Sequence, residues 1–209
     1  MNNLHLRFKS HPWHGVNIGE KAPEILTVYI EVVPLDTIKY EVDKASGYLK
    51  IDRPQKYSNV IPVPYGFVPQ TFCGDRLAAI ANEKTLRDDI VGDGDPLDIC
   101  VLTEKSIPHG DILAIVKPIG GIRMIDGGEA DDKIIAVLKD DMVYSEYNDI
   151  SELPIGIITR LRHYFLTYKD IPEQTRNTSI AGVYGHADAM EVIRATMEDY
   201  KDYFKKLKK

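Results

Sequence analysis

Apolar and polar side chains alternate near the start of the chain, as they do in half-buried β-strands. Over residues 37–43 the apolar side chains fall on one face, while Lys39 and Glu41 fall on the other. Residues 26–33 and 48–53 are rich in β-branched and aromatic side chains. The pattern therefore predicts an antiparallel meander, and taken alone it places Lys39 and Glu41 on a solvated face.

The middle of the chain is less regular. Residues 54–72 are rich in proline and aromatic side chains, which argues against a central strand or a helix interior and favours an ordered loop lining a site. Residues 73–92 are more polar and are interpreted as an insertion. Within them, residues 78–81 are predicted to form a short strand and residues 83–89 a solvent-facing segment.

The remaining elements follow from runs of β-branched residues and from helical periodicity. Strands are predicted at residues 99–102, 112–117 and 134–138. Apolar residues recur at three- and four-residue steps over residues 154–169 and 187–207, which indicates two amphipathic helices in the last third of the chain. Many strands followed by helices predict an α+β domain, a closed or strongly curled barrel with helices packed outside.

Length and composition are those of an ordinary globular protein. The 209 residues suit one domain spanning residues 1–209, with residues 1–24 as a surface arm in which His11 and His14 pack rather than bind metal. The net charge of −6 argues against nonspecific binding to nucleic acid or anionic membranes. The chain shows no bilayer-spanning apolar run, no secretory signal and no C-x-x-C spacing. We expect a cytoplasmic protein with no nucleic-acid or membrane partner.

The most distinctive stretch is an acidic turn that precedes the strand at residues 99–102. Asp93, Asp95 and Asp98 lie within six residues, so their charges repel unless a cation or a shared proton offsets them. By pattern alone, a site for a hard metal ion and a solvated acidic turn are equally good interpretations, because short acidic motifs also arise by chance. A second acidic, glycine-bearing loop at residues 126–132 also adjoins a predicted strand, and this favours the metal site.

The residue types indicate metal-assisted phosphoryl transfer to water. Carboxylate oxygens suit Mg²⁺ or Mn²⁺, and lysine, arginine and tyrosine side chains bind phosphate oxygens. The chain lacks the sequence motifs of P-loop, dinucleotide-binding, α/β-hydrolase and HExxH zinc proteins. An EF-hand starting at Asp93 is excluded, because Leu97 and Asp98 stand where an oxygen ligand and a glycine are required.

Residues 93–99, Asp-Gly-Asp-Pro-Leu-Asp-Ile, resemble the signature of the soluble, magnesium-dependent inorganic pyrophosphatases of the barrel-fold family I. Residues 38–44 resemble the family's early strands, and residues 64–71 resemble its tyrosine-bearing loop. Residues 126–133 are similar to its second acidic loop, and residues 164–170 to its late Tyr-Lys helix end. The matches occur in the family's order, which makes the set far more specific than any one motif.

The resemblance implies both a fold and a reaction. The fold is a small five-stranded, OB-like β-barrel with flanking C-terminal helices. The reaction is hydrolysis of inorganic pyrophosphate to two phosphates, by direct attack of a metal-activated water. Several Mg²⁺ ions serve each active site, with Mn²⁺ or other divalent ions as possible substitutes. The family also implies a homo-oligomer, either a hexamer or a dimer.

The resemblance further implies a role for each matching residue. Asp95 is the base that orients or deprotonates the attacking water, and Asp98 bridges two activating ions. The metal-binding set, with the two glutamates in supporting positions, is Asp93, Asp98, Asp126, Asp131, Glu31 and Glu41. The phosphate-binding set is Lys39, Arg53, Tyr65, Lys133, Tyr168 and Lys169. These roles replace the solvated face that the pattern alone indicates for Lys39 and Glu41.

Three positions depart from the family pattern. Ile61 stands where many members have a second phosphate-contacting tyrosine, and Gly127 follows Asp126 where a glutamate is usual. Residues 73–92 form a longer stretch than in compact bacterial members, so the oligomeric state stays open. Two rival interpretations are an OB-like module that binds oligonucleotides or a partner protein, and a regulatory relative that binds metal without turnover. The negative charge argues against the first, and the intact acidic set argues against the second.

Overall fold

The computed structural model describes residues 9–56, 59–169 and 177–207. Its strands, in chain order, are β1 (Leu26–Val32), β2 (Ile38–Val42), β3 (Leu49–Pro54), β4 (Tyr65–Phe67), β5 (Val91–Gly92), β6 (Asp98–Leu102), β7 (Ile112–Asp126), β8 (Glu129–Ala130), β9 (Lys133–Leu138) and β10 (Thr178–Gly185). Its helices are α1 (Asp75–Thr85), α2 (Ile155–Thr167) and α3 (His186–Leu207), with a 3₁₀ turn at Ile150–Glu152. None of the helices in this described part of the chain combines the length and apolarity needed to cross a bilayer.

Five strands close into a ring. β1 pairs with β4, β4 with β6, β6 with β9 and β9 with β7, and β7 pairs back onto β1. Only the β6–β9 pair in this ring is parallel. The closed ring, with α2 and α3 against it, confirms the predicted α+β fold and its five-stranded OB-like barrel. β2 and β3 form a separate hairpin beside the ring.

Both faces of β6 and β9 are covered, which explains their continuous apolar sequences. On β6, Ile99 and Val101 belong to an apolar cluster that α3 joins through Val192 and Ile193. The alternate residue Cys100 belongs instead to the cluster that α2 covers. Because successive strand residues point to opposite faces, β6 contributes to both clusters, and β9 does the same through Ile134 and Ile135.

The extent of β7 and the presence of β10 differ from the predictions. β7 is one strand of 15 residues rather than one ending at residue 117, because it pairs in turn with β1, β9 and β10 along its length. The last third of the chain is also not entirely helical, since β10 extends the sheet by pairing with β7. The two predicted amphipathic helices are confirmed as α2 and α3.

The proline-rich segment contains a central strand, contrary to expectation. β4 lies in the ring between β1 and β6, and its three residues fall between the prolines at positions 64 and 69. A Cβ at Gly66 would lie 1.9 Å from the carbonyl oxygen of Tyr29, so the close approach of these strands depends on the glycine. The prolines therefore bound this strand without interrupting its hydrogen bonds.

Residues 73–92 contain helix α1, and the short strand predicted at residues 78–81 was wrong. Leu77, Ala78 and Ala81 are buried on one face of the helix, a spacing that the short apolar run concealed. Arg76 ties this segment to α3 through an ion pair of 2.8 Å with Asp199. The segment is therefore packed against the body of the protein.

The described part of the N-terminal arm is anchored by an aromatic side chain. Trp13 is buried, and its indole Nε1 donates a hydrogen bond of 2.7 Å to the carbonyl of Thr71. The rings of His11 and His14 stack on each other, and His14 Nδ1 lies 3.0 Å from the hydroxyl of Tyr200. The two histidines pack here as expected, while residues 1–8 of the predicted arm lie outside the described residues.

Candidate active site

A cavity of about 330 Å³ lies where the β2–β3 hairpin, the acidic turn before β6 and the loop between β7 and β9 meet. All thirteen residues predicted for the site line it. The carboxylates that line it are Glu31, Glu41, Asp52, Asp93, Asp95, Asp98, Asp126, Glu129 and Asp131. The cations that line it are Lys39, Lys44, Arg53, Lys133 and Lys169. The fold thus brings together acidic and basic side chains from five separate segments of sequence.

Local backbone bonds fix the acidic turn at the rim of this cavity. The backbone N–H of Asp95 donates to Asp93 Oδ1 at 2.8 Å, the Asx-type bond that favours a tight reversal. The carbonyl of Asp95 accepts from the N–H of Cys73 at 2.8 Å, which ties the turn to the neighbouring segment. Asp98 then opens β6, so its carboxylate is held by a ring strand.

Lysines pair with most of the aspartates predicted to act in the site. Lys133 Nζ donates to both Asp98 and Asp131, Lys44 donates to Asp95, and Lys169 donates to Asp126. Burial opposes the charge of Lys133, but the charges of Asp131 and Asp98 outweigh it and hold the Lys133 pKa well above its usual value. A cation therefore already stands between two of the proposed metal ligands.

Two carboxyl groups of the cavity nevertheless have pKa values well above the ordinary value. Burial, followed by the negative charge of Asp131, raises the pKa of Asp93 to about 8. Burial also raises the pKa of Glu31 to about 8, although a hydrogen bond from the N–H of Val42 at 2.6 Å opposes the shift. Both groups would ionise more readily if a further cation entered the cavity.

The donor set fits a divalent cation that prefers oxygen. Within the described ranges, no three acidic, histidine or cysteine side chains converge on one ion position as the side chains now lie. Lys133 accounts for this in part, because its ammonium group lies between Asp98 and Asp131. Burial and the charge of Asp131 raise the pKa of Asp93, and a cation nearby would offset both; the available ligands are carboxylates, which suit Mg²⁺ or Mn²⁺.

The cavity also carries donors suited to phosphate. Arg53 lies over the ring of Tyr168 at 5.8 Å, and Lys169 Nζ lies 5.3 Å from the same ring centre. Arg53 Nη2 is buried and has no hydrogen-bond partner among the residues that the structure describes. Because an unpaired buried donor is costly, an incoming phosphate oxygen would satisfy it.

Three further charged residues line the cavity although no role was predicted for them. Lys44 lies in the turn of the β2–β3 hairpin, and Asp52 accepts an ion pair of 3.2 Å from Lys39. Glu129 opens β8 in the second acidic loop. Each stands within or beside a segment that matches the family, but only the folded hairpins show that these side chains reach the cavity.

The departure at Ile61 is explained by packing. Ile61 is buried in the apolar cluster that includes Tyr65 and Tyr164, and it is not among the residues that line the main cavity. The phosphate contact expected from a tyrosine at this position is therefore replaced by apolar packing beneath Tyr65.

Comparison with known proteins gives a consistent result. A model of the inorganic pyrophosphatase family matches residues 28–201. A Chlamydia caviae protein named inorganic pyrophosphatase is 51% identical over 199 residues, covering 93% of this chain and 92% of the relative. Soluble inorganic pyrophosphatase 1 of Arabidopsis thaliana is 36% identical over 194 residues, covering 93% and 82%. The crystal structure of inorganic pyrophosphatase from Thermus thermophilus aligns with a TM-score of 0.76 at 29% identity, covering 92% of this chain and 99% of that one.

Proposed function

The chain belongs to the inorganic pyrophosphatase family, whose reaction is hydrolysis of pyrophosphate to two phosphates, and we propose that this reaction takes place in the acidic cavity by direct attack of water. The enzyme is accordingly a hydrolase of a phosphoric anhydride. One observation carries the assignment to this cavity. Thirteen acidic, basic and tyrosine side chains, predicted from separate sequence motifs, line the same 330 Å³ space.

Mg²⁺ is the cation that we propose for the acidic side of the cavity. Asp93, Asp98 and Asp131 would hold two activating ions, and Asp126 with Asp131 would serve ions that enter with the substrate. Glu31 and Glu41 also line the cavity and would take supporting positions. When bound, Mg²⁺ lowers the pKa of a water molecule and neutralises negative charge on phosphate oxygens. Mn²⁺ has the same preference for oxygen ligands and is expected to substitute.

Asp95 is the proposed proton acceptor. Its carboxylate is partly exposed in the cavity and is held by Lys44 rather than buried in the protein. As the water oxygen forms its bond to phosphorus, the bridging P–O bond breaks and the second phosphate departs with the electron pair. The proton released by the water passes to Asp95, in the manner of general base catalysis.

The basic side chains of the cavity would orient the substrate. Lys39, Arg53 and Lys169 present positive charge toward the cavity, and Arg53 contributes the buried donor that lacks a partner among the described residues. Lys133 and the hydroxyl groups of Tyr65 and Tyr168 complete the proposed phosphate-binding set. Lys133 and Tyr65 now bond to Asp98, so substrate and ions would redistribute these contacts.

Location and assembly belong to the same proposal. We infer that the enzyme acts in the cytoplasm and that it works as a homo-oligomer. Light scattering of the purified protein coupled to gel filtration measures the assembly directly.

Phosphate release from pyrophosphate tests the proposed function. We expect rapid release with millimolar Mg²⁺, slower release with Mn²⁺, and none after treatment with EDTA. ATP and tripolyphosphate in the same assay measure the preference for pyrophosphate. We expect pyrophosphate to be preferred, because the cavity is small and carries both acidic and basic side chains. Absence of phosphate release from pyrophosphate with every divalent ion would contradict the proposal and favour a regulatory protein that binds metal without turnover.

A further inference from the structure

The second acidic loop is a two-residue β-hairpin. Gly127 and Gly128 connect β7 to β8, with φ angles of +63° and +93°. Positive φ at both central residues is the geometry of the tight turns that join antiparallel strands. A Cβ built at either glycine meets nothing within 4 Å, so the backbone conformation rather than crowding requires glycine here.

This turn brings Glu129 to the same face as Asp126. The two residues are direct partners in the β7–β8 pair. Directly opposed residues of an antiparallel pair point to one side of the hairpin, with their Cβ atoms about 5 Å apart. Both side chains line the acidic cavity.

Glu129 and Asp126 differ in the hydrogen bonds and ion pairs that their carboxylates make within the described residues. Asp126 accepts hydrogen bonds from Lys169 and from the hydroxyl of Thr178, the latter at 2.6 Å. Glu129 is exposed at the mouth of the cavity, and its carboxylate has no hydrogen-bond or ion-pair partner in the described part of the chain. It is thus an available oxygen ligand beside an aspartate proposed to serve the substrate-bound ions.

The insertion at residues 73–92 supports this hairpin from outside. Its last strand, β5, runs parallel to β8, with Val91 opposite Glu129. The N–H of Val91 donates to the carbonyl of Gly128 at 3.2 Å. β8 therefore lies between β7 and β5, and the insertion limits the positions that Glu129 can take.

We propose that Glu129 supplies the carboxylate that is missing at position 127 and that the insertion positions it toward the cations that enter with pyrophosphate. The inference rests on the proposed function and adds a residue to it. A glutamate at position 127 would have to adopt a φ near +63°, which is strained for any residue with a Cβ. In this chain the turn glycine occupies position 127, and the acid lies on the following strand.

The test is a Mg²⁺ titration in which the melting temperature is measured at each Mg²⁺ concentration. Imidodiphosphate is present throughout; it is an analogue of pyrophosphate in which nitrogen replaces the bridging oxygen. Glu129→Gln should raise the Mg²⁺ concentration at the midpoint of the thermal shift about tenfold, the loss typical of a group that supports a metal site. Glu83→Gln, an exposed glutamate in α1 of the same insertion, is the matched control and should leave the midpoint unchanged. A midpoint for Glu129→Gln equal to that of wild type would overturn the role of Glu129.

A second pair of variants tests the support by the insertion. Val91→Pro removes the N–H that bonds Gly128 while leaving Glu129 in place, and Val91→Ala keeps that N–H. Val91→Pro should shift the midpoint in the same direction as Glu129→Gln, and Val91→Ala should not. Equal midpoints for the two Val91 variants would overturn the positioning role. These titrations involve no turnover, so they can fail or succeed independently of whether wild type releases phosphate from pyrophosphate.

Discussion

Two regions of this molecule hold aspartate side chains in opposite ways. Asp141, in the loop after β9, is buried and accepts four hydrogen bonds of 2.7 to 3.0 Å. The donors are the hydroxyl of Thr103 and the backbone N–H groups of Glu104, Val143 and Tyr144. Burial alone would raise the pKa of Asp141, but these donors outweigh it and lower the pKa to about 2.

One aspartate of the cavity is not supplied with donors in this way. Asp93 accepts a backbone hydrogen bond from Asp95, and burial together with the charge of Asp131 raises its pKa to about 8. The fold thus satisfies Asp141 with its own N–H and O–H groups, and leaves Asp93 in the cavity without an ion-pair partner among the described residues. This difference supports the cation site proposed for the cavity.

The largest expected difference between the two regions is in catalysis. Asp98→Asn should lower kcat/KM for pyrophosphate by about 10³-fold, or about 4 kcal/mol, because it removes a charge that several proposed ligand contacts share. Asp141→Asn should leave kcat/KM near that of wild type, since Asp141 does not line the cavity. Steady-state kinetics at saturating Mg²⁺ measure both. Comparable losses in the two variants would contradict a functional distinction between the regions.

The second largest difference between the two regions should be in how their variants change the stabilisation by Mg²⁺. Mg²⁺ at about 100 times its dissociation constant should stabilise the native protein by about 3 kcal/mol, because it binds the folded cavity. Asp93→Asn should reduce the rise in melting temperature, whereas Asp141→Asn should retain it in full. Calorimetric scans with Mg²⁺ and with EDTA provide the comparison. If Mg²⁺ leaves the wild-type melting temperature unchanged, the carboxylates do not form a cation site.

The effect on stability at neutral pH should be opposite to the effect on catalysis, with the larger loss in the Asp141 variant. Asp141→Asn should lower the free energy of unfolding by about 2 kcal/mol, because it weakens hydrogen bonds to a charged acceptor and leaves buried donors poorly paired. The folded pKa of Asp141 lies below its unfolded value, so its contribution is present above about pH 4 and is lost as the pH falls toward 2. Denaturant unfolding of wild type and variant across this range measures the effect. A stability gap that does not narrow in acid would exclude the charge as its source.

The smallest expected effect is the titration of the cavity without metal. The folded pKa of Asp93 lies above its ordinary value, so folding favours its protonated form and stability falls as the pH rises from about 4 to about 8. In EDTA, wild type should melt a few degrees lower at pH 8 than at pH 6, and Asp93→Asn should flatten this dependence. A steeper dependence in Asp93→Asn than in wild type would reverse the assigned sign.

Sequence patterns predicted the strands and helices whose periodicity is strong. α2 and α3 were found from apolar residues at helical spacing, and β1 and β2 from β-branched runs and alternation. Helix α1 was missed because its buried face is composed mainly of alanine, which resembles a short apolar run. It ends at Leu86 with a φ of +55°, without the glycine that usually marks a helix end. β4 was missed because prolines flank it closely.

The thirteen residues predicted for the site line one cavity, and they could be named from sequence because they lie in short motifs that match a family. The residues that the prediction missed reach the cavity only through tertiary pairing. Lys44 depends on how the β2–β3 hairpin folds over the acidic turn. Glu129 depends on the positive φ angles of the two glycines before it and on strand β5, which comes from a distant segment of sequence. No local pattern contains that information.

The most direct test of the central claim is phosphate release from pyrophosphate by wild type and Asp95→Asn, each with and without Mg²⁺. Asp95 is partly exposed, so its replacement should leave the fold intact, as circular dichroism can verify. We predict Mg²⁺-dependent release by wild type and a loss of about 10²- to 10⁴-fold in the variant, the range expected when a general base is removed. Equal turnover by a folded Asp95→Asn protein would contradict the assigned base and the mechanism built on it.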